Sequence, residues 1–416
     1  MLERRKPIPV AEAVSRVMEH TLSGETEWVS IEDSHQRYLA QDLKATNDVP
    51  PFNRSPYDGF ALRSADTETA NEFEVIEELA AGMVPTKQVQ PFQAVRIMTG
   101  AQIPDECDCV IMMELVKEIE RDGKNYIQFT RTLKKGDNVS YKGEDAKEGD
   151  ILVKKGTFIN PGIQGVLATF GYHRVPVAKK PIVGLFATGS ELLDVDEPLQ
   201  PGKIRNSNAY AMMAQITRAG AEYRYYGKLK DELDASFEAI RKALDEVDIL
   251  ITTGGVSVGD FDLLPDIYKR LGAEVLFNKI GMRPGSVTTV AAMEGKILFG
   301  LSGNPSACYV GFELLARPII RHALFSEQVH LKKEEAILEE DFPKPNPFTR
   351  FVRAKLYYEK GQLKVVPSGK DKSNIAMSLA GANSFAVLPG GTRGFQKGDK
   401  VQILLLEDQE GSSWPW

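Results

Sequence analysis

Acidic side chains recur in loops of this sequence that are marked by glycine or proline, and they are its first candidates for chemistry. Mg²⁺ prefers carboxylate and phosphate oxygens, so acids of this kind beside an anionic substrate would favour a magnesium site. Each acid taken alone is more typical of a solvated turn residue. The candidates are Asp58, Asp145, Glu191, Asp231 and Asp262.

The loop that carries Asp58 is stiffer than an ordinary turn. Residues 47–59 contain three prolines, whose rings fix φ and reduce the entropy lost when the loop becomes ordered. Gly59 permits a turn that aims the neighbouring carboxylate outward. A rigid loop with one acid is typical of chemistry that depends on positioning. The alternative is that Asp58 only caps its own turn.

A glycine-rich loop at residues 254–262 is the second candidate. It follows the apolar run 248–253, which predicts a buried strand, and open α/β sheets bind ligands at the carboxyl ends of their strands. Glycines let backbone N–H groups approach an anion closely. The loop is no P-loop, because Asp260-Phe261 stands where Lys-Ser/Thr is required. A turn that only packs strand against helix is an equal alternative. The candidate substrate contacts are Gly254, Gly255, Ser257 and Gly259.

Two more predicted strand ends lie at the same edge of the sheet. After one of them, small residues precede a predicted helix whose free N–H groups would hold a phosphate or carboxyl group, although this segment taken singly is more typical of an ordinary helix cap. The other, residues 187–192, exposes Glu191. Three loops at one edge together predict the binding site. The residues of the first loop are Ser302, Gly303, Asn304 and Pro305.

Alternating strand and helix patterns between residues 178 and 328 would position these loops. They predict a doubly wound parallel sheet with helices on both faces, in which Asn208 and Gly220 cap one helix. Residues 72–140 have the short runs of a small β domain, with a hairpin turn at Asp122-Gly123. After about residue 330 short strands predict a β barrel or sandwich.

The composition is typical of a multidomain globular protein. With 416 residues, 42% of them hydrophobic and 26% charged, the chain predicts two to four domains. A net charge of -7 disfavours nucleic-acid binding. We find no apolar run of 18 residues and no signal-peptide pattern, and three cysteines are too few for a disulfide framework or a zinc site. We therefore expect a soluble, reduced, cytoplasmic protein without membrane association.

Several longer motifs, taken in order, resemble one family. They are Asp48-Val49-Pro50-Pro51-Phe52 through Asp58-Gly59-Phe60-Ala61, Arg96-Ile97-Met98-Thr99-Gly100-Ala101, Gly143-Glu144-Asp145, Thr188-Gly189-Ser190-Glu191-Leu192, Gly202-Lys203-Ile204-Arg205-Asn206-Ser207-Asn208, residues 254–262 and Gly303-Asn304-Pro305. Together they resemble the molybdopterin molybdenumtransferases of the MoeA type, which are related to the C-terminal domain of gephyrin. The likeness covers nearly the whole chain, and this co-occurrence is far more specific than any single motif.

The resemblance implies an elongated, homodimeric molecule with four regions. Residues 1–50 and 141–177 would form a helical dimerisation region, with an inserted β domain at 51–140. A molybdopterin-binding α/β domain at 178–328 and a C-terminal β barrel at 329–416 would follow. The segmentation drawn from the residues alone agrees with this arrangement.

The resemblance also implies a reaction in molybdenum cofactor biosynthesis. Molybdenum from molybdate would be inserted into adenylylated molybdopterin, with Mg²⁺-dependent release of AMP. Partners would be these two substrates, a second copy of the chain and other proteins of cofactor biosynthesis. Asp58 would be the essential acid, with Thr99, Asp145 and Glu191 also catalytic. The implied magnesium ligands are Asp58, Glu191, Asp231 and Asp262, and further implied substrate contacts are Lys279, Arg283, Arg353 and Ser373.

One loop departs from the family pattern. Where many members have Pro-Gly-Lys-Pro, this chain has Pro284-Gly285-Ser286-Val287. A cation that would meet an anionic ligand is therefore lost, and Arg283, just before the loop, is the candidate to replace it.

Two other functions stay open at this point. The α/β domain is also used by enzymes that adenylylate molybdopterin, although the inserted β domain and the Asp58 loop argue against that reaction. The second alternative is a binding or scaffold protein that keeps the fold without catalysis, because fold alone does not prove activity.

Overall fold

The computed structural model describes residues 6–230, 232–255, 263–343 and 345–406. The chain begins with a region of one helix and two short strands. These are α1 (Val10–Met18), β1 (Thr26–Ser30) and β2 (Leu43–Lys44). Helix α1 buries Ala13 and Val17, which lie four residues apart on one face.

A later segment of the chain returns to this N-terminal region. It contains β9 (Ile151–Val153), α2 (Pro161–Thr169) and β10 (Arg174–Ala178). Strand β10 pairs antiparallel with β1, and β9 pairs antiparallel with β2. Helix α2 starts with Pro161, and the side chain of Asn160 accepts a 2.9 Å hydrogen bond from the N–H of Ile163. The two separated segments therefore pair with each other.

The strands between these two segments form one mixed sheet in the order β6-β3-β5-β4-β8-β7. The β7–β8 hairpin turns at Asp122 and Gly123, both with positive φ, as predicted. Successive residues of β3 pack on opposite faces, with Phe60 in one apolar cluster and Ala61 in another. Both faces of this sheet are thus covered. The strands are β3 (Gly59–Leu62), β4 (Glu72–Leu79), β5 (Gln93–Ile97), β6 (Cys109–Met112), β7 (Lys117–Arg121) and β8 (Lys124–Gln128).

The next unit is a six-stranded sheet in the order β14-β11-β15-β19-β18-β16. Strands β14, β11, β15 and β19 are parallel, whereas β18 and β16 run antiparallel to their neighbours. The predicted doubly wound fold is confirmed, but the sheet is mixed because Glu294 and Gly295, both with positive φ, turn β18 straight back into β19. The strands are β11 (Ile182–Thr188), β14 (Glu222–Leu229), β15 (Ile249–Thr253), β16 (Glu274–Phe277), β18 (Thr289–Met293) and β19 (Lys296–Leu301), with β12 (Leu192–Leu193) and β13 (Ile204–Arg205) as a separate pair.

Helices cover both faces of this sheet, as predicted. One face packs against α3, α6 and α7, and the other against α4 and α5. The side chain of Asn206, rather than the expected Asn208, caps α3 by accepting from the N–H of Ala209, and Gly220 ends the helix with a φ of 101°. The helices are α3 (Ser207–Ala219), α4 (Leu233–Leu244), α5 (Leu264–Arg270), α6 (Pro305–Gly311) and α7 (Arg317–Ala323), the last two joined by a π-helical turn at Phe312–Ala316.

The C-terminal strands close into the expected barrel in the order β21-β22-β20-β24-β23, with β23 pairing back to β21. One strand comes from outside this segment, because β17 (Met282–Arg283) of the α/β unit pairs in parallel with β21. The domain limits stated above stay a prediction. No helix in the described part of the chain is long and apolar enough to cross a membrane. The barrel elements are β20 (Lys333–Leu338), β21 (Thr349–Glu359), β22 (Gln362–Pro367), β23 (Ser384–Leu388), β24 (Lys400–Leu405) and α8 (Met377–Ala380).

Candidate active site

Asp58 lies at the end of the proline-rich loop, immediately before β3, and its side chain is exposed. The backbone N–H and the hydroxyl of Thr99 both donate to Asp58 Oδ1, each at 2.7 Å. Gly59 follows Asp58 because a Cβ at this position would collide with the carbonyl oxygen of Ile111 on β6. The strand pairing behind the loop and the two bonds from Thr99 therefore fix the direction of the carboxylate.

The hydrogen bonds from Thr99 lower the pKa of Asp58 below its ordinary value, and the positive charge of Arg96 adds to the effect. Hydrogen bonds to the charged form stabilise it, so Asp58 is a carboxylate at neutral pH. An ionised acid with an accessible oxygen is able to coordinate a cation or accept a proton. The structure thus places two of the predicted catalytic residues, Asp58 and Thr99, in direct contact.

A cleft of about 600 Å³ adjoins this pair. Glu144 lies on its wall and accepts hydrogen bonds from the Ser140 hydroxyl and, at 2.8 Å, from the N–H of Tyr141. These bonds, followed by the charge of Arg54, lower the pKa of Glu144. The cleft is therefore polar and carries both signs of charge. The lining residues are Arg54, Ser55, Pro56, Tyr57, Thr99, Gly100, Gly136, Asn138, Val139, Ser140 and Glu144.

Asp145 belongs to the neighbouring loop and is exposed. The N–H of Asp145 donates to the carbonyl of Val49 at 3.0 Å, and the N–H of Gly143 donates to the carbonyl of Pro50 at 2.9 Å. The two motifs, nearly 100 residues apart in sequence, are thus held together by backbone hydrogen bonds. Asp145 lies beside the segment that leads into Asp58, and its catalytic role stays a prediction.

The second candidate region is the carboxyl edge of the α/β sheet, where the three predicted loops meet. Gly254 has a φ of 92°, its N–H donates to the carbonyl of Leu301 at 2.9 Å, and a Cβ there would lie 2.7 Å from the carbonyl oxygen of Thr188. A Cβ added at Gly303 would lie 3.5 Å from the Cα of Gly254, so these two loops approach each other closely. Gly255 also has positive φ, 66°. Both glycines therefore need the freedom that their type supplies.

The side chains of this edge are presented in different ways. Glu191 is exposed and its carboxylate folds over Gly189, where a Cβ would lie 2.5 Å from Glu191 Oε2. The carbonyl of Gly303 accepts a 2.7 Å hydrogen bond from Asn208, and Ser302 accepts a 3.3 Å bond from the N–H of Asn304 through its hydroxyl oxygen. The edge is thus a set of small, hydrogen-bonded loops around one carboxylate.

The barrel contributes a loop to this edge. Ser306, fully buried beside Pro305, donates its N–H to the carbonyl of Ser373 at 3.1 Å and its hydroxyl to the carbonyl of Ile375 at 2.8 Å. Ser373 therefore lies next to the residue 302–305 loop. Because the Ser306 N–H is taken by the barrel, it is not among the free helix donors that the sequence suggested for an anion.

Arg353 lies beneath the same barrel loop and is only 2% exposed. Its guanidinium donates to Asp371 at 2.7 Å, to the carbonyl of Lys372 at 3.1 Å and to the Ser378 hydroxyl at 3.3 Å. Arg350 donates to the other oxygen of Asp371, also at 2.7 Å. Burial lowers the pKa of Arg353, and the ion pair with Asp371 opposes the shift. Arg353 thus acts as an internal strut here, and its substrate contact stays a prediction.

For the other predicted residues the structure gives only exposure and backbone contacts. Arg283 is exposed on β17 and pairs in register with Arg350, so it lies where the α/β unit joins the barrel. Lys279 is half-buried, and its carbonyl accepts a 3.2 Å hydrogen bond from the N–H of Ile8. The remaining predicted site residues, Asp231, Ser257, Gly259 and Asp262, lie outside the described residues.

Three residues of these regions were missed by the sequence reasoning. Arg54 differs from its neighbours only by its charge, four residues before Asp58, and this was the single signal available for it. Asp371 and Ser306 act through contacts with distant parts of the chain, for which the local sequence carries no signal.

Fold and site together define a multidomain enzyme with a polar cleft beside Asp58 and a candidate ligand edge on an α/β sheet. Three family descriptions match successive parts of the chain: "MoeA N-terminal region (domain I and II)" at residues 8–171, "Probable molybdopterin binding domain" at 184–322 and "MoeA C-terminal region (domain IV)" at 335–406.

Relatives match over the whole chain. Molybdopterin molybdenumtransferase of Bacillus subtilis is 58% identical over 100% of this chain and 98% of the relative, and that of Staphylococcus aureus is 50% identical over 98% and 97%. A crystal structure of the molybdopterin biosynthesis MoeA protein from Pyrococcus horikoshii superposes with a TM-score of 0.85 at 30% identity, covering 97% of this chain and 100% of that one. The chain belongs to the molybdopterin molybdenumtransferase family, and it is a transferase of molybdenum cofactor biosynthesis.

Proposed function

We propose that this protein inserts molybdenum from molybdate into adenylylated molybdopterin and releases AMP in a Mg²⁺-dependent step. The observation that carries the proposal is the exposed Asp58 carboxylate, whose direction and charge are set by Thr99 at the mouth of a polar cleft. The full-length match to molybdenumtransferases supports insertion over the two alternatives, adenylyl transfer and a scaffold without catalysis.

The sheet edge is the proposed holding site for the pterin substrate. Gly254, Gly255 and Gly303 keep side chains out of the space between three strand ends, so the backbone is able to approach an anionic group. The barrel loop supports the edge through two hydrogen bonds from Ser306. We include Ser302, Asn304, Pro305 and Ser373 in this site because they form its hydrogen-bonded rim.

Asp58 supplies the proposed chemistry beside the polar cleft. Its ionised carboxylate would orient molybdate or water or accept a proton, while Thr99 prevents it from rotating. We extend a catalytic role to Asp145 and Glu191, which are exposed acids on neighbouring loops of the two candidate regions.

The residues present suit a magnesium ion that takes only some of its ligands from the protein. Oδ1 of Asp58 accepts both bonds from Thr99, and no hydrogen bond within the described residues occupies Oδ2. The described residues contain no group of three or more His, Cys, Asp or Glu side chains able to hold a metal. Mg²⁺ at Asp58 or Glu191 would thus take its other ligands from water and substrate phosphate, where it neutralises charge and bridges oxygens.

A homodimer in the cytoplasm is the proposed working form. The N-terminal region has a small apolar core of its own, built around Leu39, Leu43 and Leu167. Trp28 is 53% exposed on β1, and Ile151 and Phe158 are exposed on the segment that returns to this region. Pairing with a second copy would cover such surface. The three cysteines are free and buried, which fits a reducing compartment.

Turnover with the purified full chain tests the reaction. We expect incubation with adenylylated molybdopterin, molybdate and Mg²⁺ to yield molybdenum cofactor and AMP in equal amounts. Chelation of Mg²⁺ should stop AMP release without removing the bound pterin, as mass spectrometry of the retained small molecules would reveal. AMP release without molybdenum insertion, or insertion without AMP, would contradict the coupled reaction.

A further inference from the structure

The cleft beside Asp58 contains one positively charged side chain among the lining residues that the structure describes, Arg54. Its backbone is anchored on both sides, because the N–H of Arg54 donates to the carbonyl of Ser140 and the N–H of Ser140 donates to the carbonyl of Arg54, each at 2.9 Å. The residue itself is exposed. A rigid backbone thus presents a long cationic side chain to the cleft.

The serine and threonine hydroxyls that line the cleft are already engaged within the protein. The hydroxyl of Thr99 donates to Asp58, that of Ser140 donates to Glu144, and that of Ser55 donates to the carbonyl of Tyr57 at 2.5 Å. The amide nitrogen of Asn138 donates to the carbonyl of Val110 at 2.8 Å. Among the described contacts, in contrast, no hydrogen bond or ion pair occupies the guanidinium of Arg54.

An anion that enters this cleft therefore finds one cationic side chain, whose guanidinium has no hydrogen bond or ion pair among the described contacts. A guanidinium presents several N–H groups in a planar fork that matches two oxygens of an oxyanion at once. The negative charge of Glu144, on the wall of the same cleft, opposes the binding of anions that do not reach Arg54. A small oxyanion that reaches this guanidinium would meet a residue of the same loop that carries Asp58.

We propose that Arg54 binds a tetrahedral oxyanion in this cleft and sets the affinity of the protein for that anion. The oxyanion is molybdate or a phosphate group of the pterin substrate, which share this chemistry. The inference rests on the proposed function, because that function supplies both anions. It adds a specificity-determining residue that lies before, and on the same loop as, the essential acid.

The test compares Arg54→Gln and Arg54→Lys with wild-type protein. In each steady-state series one substrate is saturating and the other is varied. We expect Arg54→Gln to raise the KM for molybdate or the KM for adenylylated molybdopterin by about tenfold, with kcat unchanged. This is the effect of losing a hydrogen bond to a charged group. The KM of Arg54→Lys should lie between those of wild type and Arg54→Gln, because lysine keeps the positive charge and loses the planar fork of N–H groups. Arg131→Gln, at an exposed arginine that does not line the cleft, is the matched control.

A rise in the KM for molybdate identifies molybdate as the anion, and a rise confined to adenylylated molybdopterin identifies its phosphate. Unchanged KM values in Arg54→Gln, or an equal change in Arg131→Gln, would overturn the proposal. Equilibrium dialysis of molybdate and of inorganic phosphate against the full chain, with no pterin present, measures the site without turnover. An affinity for either anion that depends on Arg54 would support the anion site even if wild-type protein inserted no molybdenum. Failure of the anion site and failure of the proposed insertion reaction are therefore distinguishable.

Discussion

Thr99 donates two hydrogen bonds to a single oxygen of Asp58, one from its backbone N–H and one from its hydroxyl, both at 2.7 Å. The pair joins the end of β5 to the loop before β3, so the strand pairing of the β domain determines where the carboxylate lies. One oxygen is held and the other is available. This division is what a carboxylate needs to be both oriented and reactive.

Replacing Thr99 by Val should shift the acid limb of the pH–rate profile to higher pH. Thr99 lowers the pKa of Asp58, so the carboxylate stays ionised down to that lowered pKa. Activity that depends on the ionised form is lost as the pH falls through it. Thr99→Val removes the hydroxyl donor and raises that pKa toward its ordinary value. Thr169→Val, which removes an exposed hydroxyl on α2, is the control. An acid limb that stays in place would count against the role of Thr99.

Gly254→Ala should destabilise the sheet edge and weaken pterin binding. Left-handed backbone costs a non-glycine residue about 1 to 2 kcal/mol, and the clash with the carbonyl of Thr188 adds about 1 to 3 kcal/mol of overpacking. Gly149 is a matched control, because its φ of 91° nearly equals the 92° of Gly254 and a Cβ there meets nothing within 4 Å. Denaturant unfolding and pterin titration compare the two variants. Equal losses in both would remove the close approach at Thr188 from the account.

Asp371→Asn should destabilise the barrel and loosen its contact with the sheet edge. Asp371 pairs with both Arg350 and Arg353, and removing one partner of a buried ion pair costs about 3 to 5 kcal/mol. The loop would then support Ser306 less well, so the KM for pterin should also rise. Asp399→Asn, at an exposed barrel turn that accepts from the N–H of Gln396, is the control. Wild-type stability in Asp371→Asn would show that the strut is dispensable.

Local signals predicted much of this fold. Gly220 ends α3 in a left-handed conformation, Pro305 starts α6, and Asp122-Gly123 turns a hairpin. Each of these residues acts through its own backbone geometry, which its type determines wherever it lies. The meeting of three loops at the sheet edge was also predictable, since parallel strands place their carboxyl ends together.

Long-range pairings were not predictable in the same way. The partners of β17 and the strut between Arg353 and Asp371 depend on residues far away in sequence, and a local pattern does not specify register with them. The same reason explains Ser306, whose N–H meets Ser373 rather than a ligand. Charge and glycine content predict the two candidate regions, whereas tertiary contacts decide which side chains are available in them.

The protein should be a dimer in solution at micromolar concentration. The small core of the N-terminal region and the exposed Trp28 favour a second copy over an isolated chain. Light scattering after size exclusion measures the mass directly, and Trp28→Glu should weaken association if β1 contributes to the interface. A monomer across the micromolar range would contradict the dimer.

Asp58→Asn tests the central claim most directly. Asn is nearly isosteric and still accepts hydrogen bonds from Thr99, so we expect wild-type thermal stability and unchanged pterin affinity. Molybdenum insertion measured on the same sample should fall by at least about a hundredfold, the lower range for loss of a general acid–base group. Near-normal insertion by a folded, pterin-binding Asp58→Asn protein would contradict the assignment of Asp58 as the catalytic carboxylate.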